Sequence, residues 1–290
     1  HIAFAKTNAP FLLNRHNMMI LRIENFQQRL FGLRTQCICT PRLNGHNSTM
    51  TQPSSSPTRR ALAIYIHWPF CKSKCPYCDF NSHVRDGVDV ALWQQALLQE
   101  LDFMAAQLDS LYEVTSIFFG GGTPSLMPAA TVAALIERVG VLWPTHPNIE
   151  ITLEANPTSV EAQLFSEFRA AGVNRVSMGI QSLRSDALAF LGREHSVGEA
   201  LAAVELAART FDRYSFDLIY ARPNQSTSEW EAELREALQY IDGHLSIYQL
   251  TIEQGTAFYH AYHHKGAFAL PPDETAAELF TLTLDVLRDA

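Results

Sequence analysis

Three cysteines, Cys71, Cys75 and Cys78, stand within eight residues in the stretch FCKSKCPYCDF, spaced C-x3-C-x2-C. Thiolates at such spacing ligate soft or borderline metals or exchange electrons. Three chemistries are open to them. A structural zinc ion closes with four ligands, so it would need His67, His83 or a distant residue as the fourth. A thioredoxin-like pair needs only the C-x-x-C of Cys75 and Cys78, and leaves Cys71 without a role. An iron–sulfur cluster of the four-iron type held by three thiolates keeps one iron open, as a catalytic metal keeps a position free. Lys72 and Lys74 in the same loop are either solvated or placed to favour an anionic cluster.

Further reactive groups fall where apolar runs end. TSIFF runs into Gly120-Gly121-Gly122-Thr123-Pro124-Ser125, which lacks both the phosphate-loop and the dinucleotide fingerprint and reads as a flexible turn or a ligand cradle. IEITLEA ends at Glu154-Ala155-Asn156-Pro157, a strand-end acid with a turn or a ligand-facing pair. NRVSMGI leads into Gln181, and Arg193 follows in GREH. Asp217 interrupts the apolar SFDLIY, where a carboxylate needs a salt bridge or a ligand to offset its burial.

The elements that must position these groups alternate from residue 61 onward. Strands are expected at 61–68, 115–121, 149–155, 174–180, 213–220 and 244–252, each short, apolar and rich in β-branched or aromatic residues. Amphipathic helices are expected between them. Val90, Trp93, Leu97, Leu101, Met104, Leu108 and Leu111 line one face of a helix over 89–111. Others fall at 128–140, 197–210, 228–241 and 273–287, and Thr158 followed by Glu161 resembles a capping box opening a helix to Arg169, with Gly172 beyond it. Six strand–helix units of this kind predict an α/β fold, a partial (β/α)6 barrel of parallel strands with helices outside. Such folds gather ligands at the carboxyl ends of their strands, where the residues above lie.

Composition bounds the rest. The chain has 290 residues and a net charge of −8. Residues 1–60 carry eight Lys/Arg and one acid, Glu24; of 22 basic and 30 acidic side chains the remainder therefore holds 14 and 29. That acidic body argues against a nucleic-acid surface, and no apolar run is long enough for a membrane span. Residues 1–60 are read as a disordered, targeting or spurious extension, with Met50 opening the polar run MTQPSSSPTRR. Cys37 and Cys39 within it receive no function. A reduced, cytoplasmic location is expected, or a mitochondrial one if the basic segment is a transit peptide.

The cysteine spacing resembles the radical S-adenosylmethionine superfamily, in which three such cysteines hold a [4Fe-4S] cluster and S-adenosylmethionine chelates the fourth iron. The resemblance implies reductive cleavage of the sulfonium to methionine and a 5′-deoxyadenosyl radical, and with it an electron donor for the cluster. YIHWPFCKSKCPYCDFNS, IFFGGGTPSLM, EANP, RVSMGIQS, FLGREHS, FDLIYARP and LSIYQLTIEQGTAF are similar to one branch over about residues 61–270. That branch contains oxygen-independent coproporphyrinogen III oxidase and heme chaperones of the HemW type. By this resemblance Cys71, Cys75 and Cys78 ligate the metal, Tyr65, Gly121, Gly122, Thr123, Glu154, Gln181, Arg193 and Asp217 contact S-adenosylmethionine, and Tyr77 lies near its adenine.

Within the branch the oxidase continues to C-x3-C-x2-C-x-C, whereas Asp79 and Phe80 follow Cys78 here, as in the chaperones. The implied function is a heme chaperone that binds heme and passes it to an acceptor protein, with oxidative decarboxylation in porphyrin biosynthesis as the alternative. The common loop GLPGQ is replaced by Ala221-Arg222-Pro223-Asn224-Gln225, which loses two glycines. Complete members continue into a C-terminal domain with a heme-associated His-Asn and Tyr-Trp segment, so 61–270 is read as the core domain and 271–290 as the start of a truncated C-terminal region. No histidine is assigned to heme.

Overall fold

The computed structural model describes residues 20–23, 59–108 and 111–290. Most of the segment 1–60 read above as an extension, with Cys37, Cys39 and Met50, lies outside the described residues. Within it β1 (Ile20–Ile23) pairs antiparallel with β2 (Arg60–Trp68), Ile20 opposite Ile66. A two-stranded ladder of β3 (Phe70–Cys71) and β4 (His83–Val84) then closes the ends of the cysteine loop on each other.

The main sheet continues from β2 through β5 (Tyr112–Gly121), β6 (Thr145–Ala155), β7 (Arg175–Gln181), β8 (Arg213–Tyr220) and β9 (Ser246–Gln249). These six are all parallel and lie side by side in chain order, curling into a half-barrel with the helices outside. Their burial explains their composition. In β8 Tyr214, Phe216, Leu218, Ile219 and Tyr220 are all buried, because the helices cover one face and the barrel interior the other.

The helices are α1 (Val90–Gln107), α2 (Ala129–Leu142), α3 (Ser159–Ala162), α4 (Phe165–Ala170), α5 (Ser185–Phe190), α6 (Val197–Thr210), α7 (Thr227–Ala237), α8 (Ala257–Lys265) and α9 (Asp273–Asp289). Complete capping boxes, Ser196 with Glu199 and Ser226 with Glu229, start α6 and α7. α9 packs on α7, where Trp230 Nε1 donates to Thr283 Oγ1 at 2.8 Å.

Several boundaries differ from the sequence expectation. The helix expected to Arg169 is broken into α3 and α4, and the one expected to 241 ends at Ala237 before a 3-10 turn at Leu238–Tyr240. The last strand pairs only over Ser246–Gln249, although its apolar run extends to 252. α5 is too short for periodicity to reveal, and α8 buries only Phe258, so neither carries an apolar stripe.

Candidate functional site

The cysteine loop leaves β2 and is tied at once to the glycines ending β5. Gly122 N donates to Trp68 O at 2.7 Å and Thr123 N to Phe70 O at 2.8 Å. A Cβ on Gly122 would sit 2.6 Å from Phe70 O and 3.0 Å from Cys71 Sγ; one on Gly121 would sit 2.7 Å from the His67 ring. Gly121 also holds φ at +120°, which side chains disfavour. The triple glycine is therefore a close-approach surface beneath the thiol loop rather than a free turn.

Cys71, Cys75 and Cys78 are free thiols, each half-buried. Arg193, which follows α5, reaches across to them. Its Nη1 donates to Cys75 Sγ at 3.0 Å, and its Nη2 donates to Asn156 Oδ1 and to Gly179 O at 2.7 Å each. Among the described residues its Nε is buried without a hydrogen-bond partner. Tyr77 shares this corner and stays protonated, because burial pushes its phenol well up, against the pull of Arg193. Behind the loop, Gly192 lies so close to Pro76 that a Cβ would be 2.7 Å from its Cδ, and Phe258 N donates to Pro76 O at 2.8 Å. Lys74 Nζ donates to Phe80 O and Ser82 O at 3.3 Å, and Lys72 pairs with Glu194 at 3.0 Å, so both lysines fasten the loop.

The donor set discriminates between the metals. His67 is buried, with Nε2 2.9 Å from Asn81 O and Nδ1 3.4 Å from Tyr65 OH, so both its nitrogens are engaged by protein. Among the described residues no three His, Cys, Asp or Glu side chains converge as one ion requires. A zinc ion completed by His67 thus lacks a donor set. Cluster thiolates bind separate irons and need no common point. The charge-assisted contact from Arg193 to Cys75 and the side-chain-free approach of Gly122 to Cys71 both suit an anionic cluster.

Two carboxylates face the same barrel mouth. Glu154 accepts from Gly121 N at 3.1 Å, and Asp217 lies opposite Ser246 in the ladder. Both keep some exposed surface in the open mouth but are ringed by protein. That desolvation, with the charge of Asp217 added, pushes Glu154 up to about 8. Burial likewise raises Asp217 to about 7, although Arg193 and Arg175 pull it down. Neither arginine forms the salt bridge considered for Asp217: Arg175 lies 3.8 Å from Glu150, and Arg193 serves Cys75. A cationic ligand such as a sulfonium amino acid would restore both charges. Tyr65 and Tyr248 line the same mouth, and burial, with a carboxylate nearby, raises both phenols, Tyr248 to about 12. Gln181 ends β7 at φ +74°, beside Gly179 and Arg193.

The residues singled out from the sequence thus lie toward the same mouth of the half-barrel: the cysteine loop, glycines, Gln181 and Arg193 at or beyond the carboxyl ends of the strands, and Tyr65 and Asp217 within β2 and β8. Glu161 is the group that sequence reading misplaced. Thr158 does accept from Glu161 N at 3.3 Å, but the carboxylate turns inward instead of completing the box. It accepts from Asn156 N at 2.9 Å, from Asn156 Nδ2 at 3.2 Å and from Ser125 Oγ. A chain of contacts therefore runs from the GGGTPS turn through Glu161, Asn156 and Arg193 to Cys75. His195, also in GREH, is buried with Nε2 3.1 Å from Ile180 O, and burial holds it near 4 and neutral.

Comparison with known proteins follows the same lines. The sequence profile described as "Radical SAM superfamily" matches residues 65–237. The chain is 41% identical over 238 residues to "Radical S-adenosyl methionine domain-containing protein 1, mitochondrial" of Bos taurus, covering 82% of this chain and 53% of that protein. It is 45% identical over 199 residues to "Heme chaperone HemW" of Escherichia coli, covering 68% and 52%. Among solved structures, coproporphyrinogen III oxidase from Escherichia coli superposes with a TM-score of 0.69 at 25% identity, covering 81% of this chain and 54% of that one. The chain spans about half the length of the curated relatives it matches.

Proposed function

The chain belongs to the radical S-adenosylmethionine superfamily, and from that membership we propose that it is a heme chaperone carrying a [4Fe-4S] cluster and S-adenosylmethionine. Cys71, Cys75 and Cys78 would hold the cluster, leaving one iron for the amino acid end of S-adenosylmethionine. When bound, the pair supplies one-electron reductive chemistry at the sulfonium, with electrons from an external donor. The chain's own residues bind, orient and exclude water. Gly121 and Gly122 bring side-chain-free backbone up to the thiol loop with Thr123 beside them, Glu154 and Asp217 match a cationic ligand, and Arg193, Gln181, Tyr65 and Tyr77 frame it. Heme would be received by the protein and passed to an acceptor protein.

The observation that carries chaperone over oxidase is residue 80. Where the oxidase pattern has a further cysteine, this chain has Phe80, which is 54% exposed beside the thiol loop. The solved oxidase structure favours the alternative, porphyrinogen decarboxylation, on shared fold. Relatives named mitochondrial support the transit-peptide reading of residues 1–60 beside the cytoplasmic one. Among the described residues no helix is long and apolar enough to cross a membrane.

The test is anaerobic reconstitution with iron and sulfide analysis, then heme binding and coproporphyrinogen turnover under the same reducing conditions. A cluster lost in Cys78→Ser, with specific heme retention and no turnover, is the expected result. Stoichiometric zinc in place of iron would sink the cluster, and robust turnover without heme retention would select the oxidase.

A further inference from the structure

A buried charged cluster, separate from the cofactor contacts, joins the end of β7 to the loop after β8. Glu233 on α7 is 1% exposed and Arg222 6%, and Ser182 between them is fully buried. Glu233 Oε1 accepts from Ser182 Oγ at 2.5 Å and from Leu183 N at 2.8 Å. Arg222 donates through Nη2 to Glu233 Oε2 and through Nη1 to Ser182 Oγ, closing a triangle. Gln225 folds back on the same arginine, its Oε1 accepting from Arg222 N at 3.3 Å.

Three non-glycine residues around this triangle occupy the left-handed region: Gln181 at φ +74°, Ala221 at +58° and Asn224 at +59°. Side chains disfavour that region, so something must over-determine it. Gln181 directly precedes Ser182, and Ala221 directly precedes Arg222. Ala221 and Asn224 are also the two positions where the resembled loop carries glycine. The backbone keeps a glycine-like path without the glycines. A buried ion pair gains little net stability over well-packed apolar residues, while in some systems it selects a single arrangement.

We propose that Arg222 and Glu233 are positioning residues for the cofactor site: through Ser182 their ion pair holds Gln181 in its left-handed conformation beside Gly179 and Arg193. The proposal rests on the reading of Gln181 as a contact of S-adenosylmethionine. It makes stability and affinity separable. Removing one charge leaves the other buried and unpaired, so Arg222→Leu and Glu233→Leu each lower both quantities. Replacing both removes the stranded charge but not the need to hold Ser182.

The experiment measures S-adenosylmethionine dissociation constants, from the change in the reduced cluster's electron paramagnetic resonance signal, and melting temperatures on the reconstituted chain. The double variant Arg222→Leu/Glu233→Leu is expected to regain most of the melting temperature lost by the single variants, yet bind about tenfold more weakly than wild type, the scale of loss when a supporting contact goes. Ser182→Ala, which leaves the ion pair intact, is expected to weaken binding in the same direction and covers the case of a double variant that does not fold. Wild-type affinity in the double variant or in Ser182→Ala overturns the proposal alone. Absence of any S-adenosylmethionine effect on the wild-type signal overturns the reading of the site and the proposal with it.

Discussion

Arg193 Nη1 lies 3.0 Å from Cys75 Sγ, although 118 residues separate them, and the same guanidinium holds Asn156 and Gly179. One side chain thus fixes the thiol loop to the ends of β6 and β7. Its loss leaves Asn156 Oδ1 and Gly179 O without their donor, at about 1–3 kcal/mol for each acceptor left dry. Arg193→Leu is therefore expected to shift chemical denaturation by that order and to impair cluster assembly. Arg193→Lys keeps the charge but not the fork, and should fall between. A denaturation curve for Arg193→Leu that overlays wild type would refute the clamp.

Gly122 offers a sharper test of the loop's seat. Its added Cβ would meet Phe70 O at 2.6 Å, a backbone atom that cannot swing aside. Gly122→Ala should displace the chain carrying Cys71, and the expected outcome is fewer irons and sulfides per chain after anaerobic reconstitution. Gly140→Ala is the counterpart: its Cβ meets nothing within 4 Å in α2. That change should stabilise the protein by roughly 0.5–1 kcal/mol while leaving cluster content unaltered. Full cluster content in Gly122→Ala would count against the close-approach role.

Much of the frame was legible because parallel strands buried on both faces read as apolar runs, and such runs end where ligands gather. The cysteines, glycines and strand-end acids could therefore be placed on one rim before their contacts were known. The misreadings share a cause. Glu161 sits at the third position of a helix, where local pattern assigns it to its own cap, while tertiary contact with Asn156 and Ser125 claims its carboxylate. The Arg222–Glu233 pair was invisible for the same reason, since pairing across 11 residues and two elements leaves no periodicity. The loss of two glycines was legible, but not that Ala221 and Asn224 would keep the left-handed path.

The two accounts of Glu161 differ in what its substitution costs. As a reciprocal capping residue alone, Glu161→Gln would be nearly neutral, because glutamine also serves in the box. As the acceptor of Asn156 N, Asn156 Nδ2 and Ser125 Oγ, it loses acceptor capacity and presents an amide donor to donors. The expected cost is about 1–3 kcal/mol by urea denaturation. Thr158→Ala removes only the cap to Glu161 N and should cost about 0.5–2 kcal/mol. A neutral Glu161→Gln would return the residue to its capping role.

Glu154 and Asp217 give the site a pH dependence of fixed sign. Burial raises their carboxyls to about 8 and about 7, against about 4 in an unfolded chain. The folded protein holds these protons where the unfolded chain has released them. Their contribution to stability is therefore full below about pH 4 and is lost as pH rises through the folded values of about 7 and 8. A cationic ligand has the opposite preference, since it binds best once both are ionised. S-adenosylmethionine affinity should accordingly rise between about pH 6 and about pH 9, read by equilibrium titration of the reconstituted protein in buffers of constant ionic strength. Glu154→Gln should weaken binding most at the alkaline end and confine the remaining rise to the range of Asp217. An affinity independent of pH in the wild type would mean that neither carboxylate meets the ligand's positive charge.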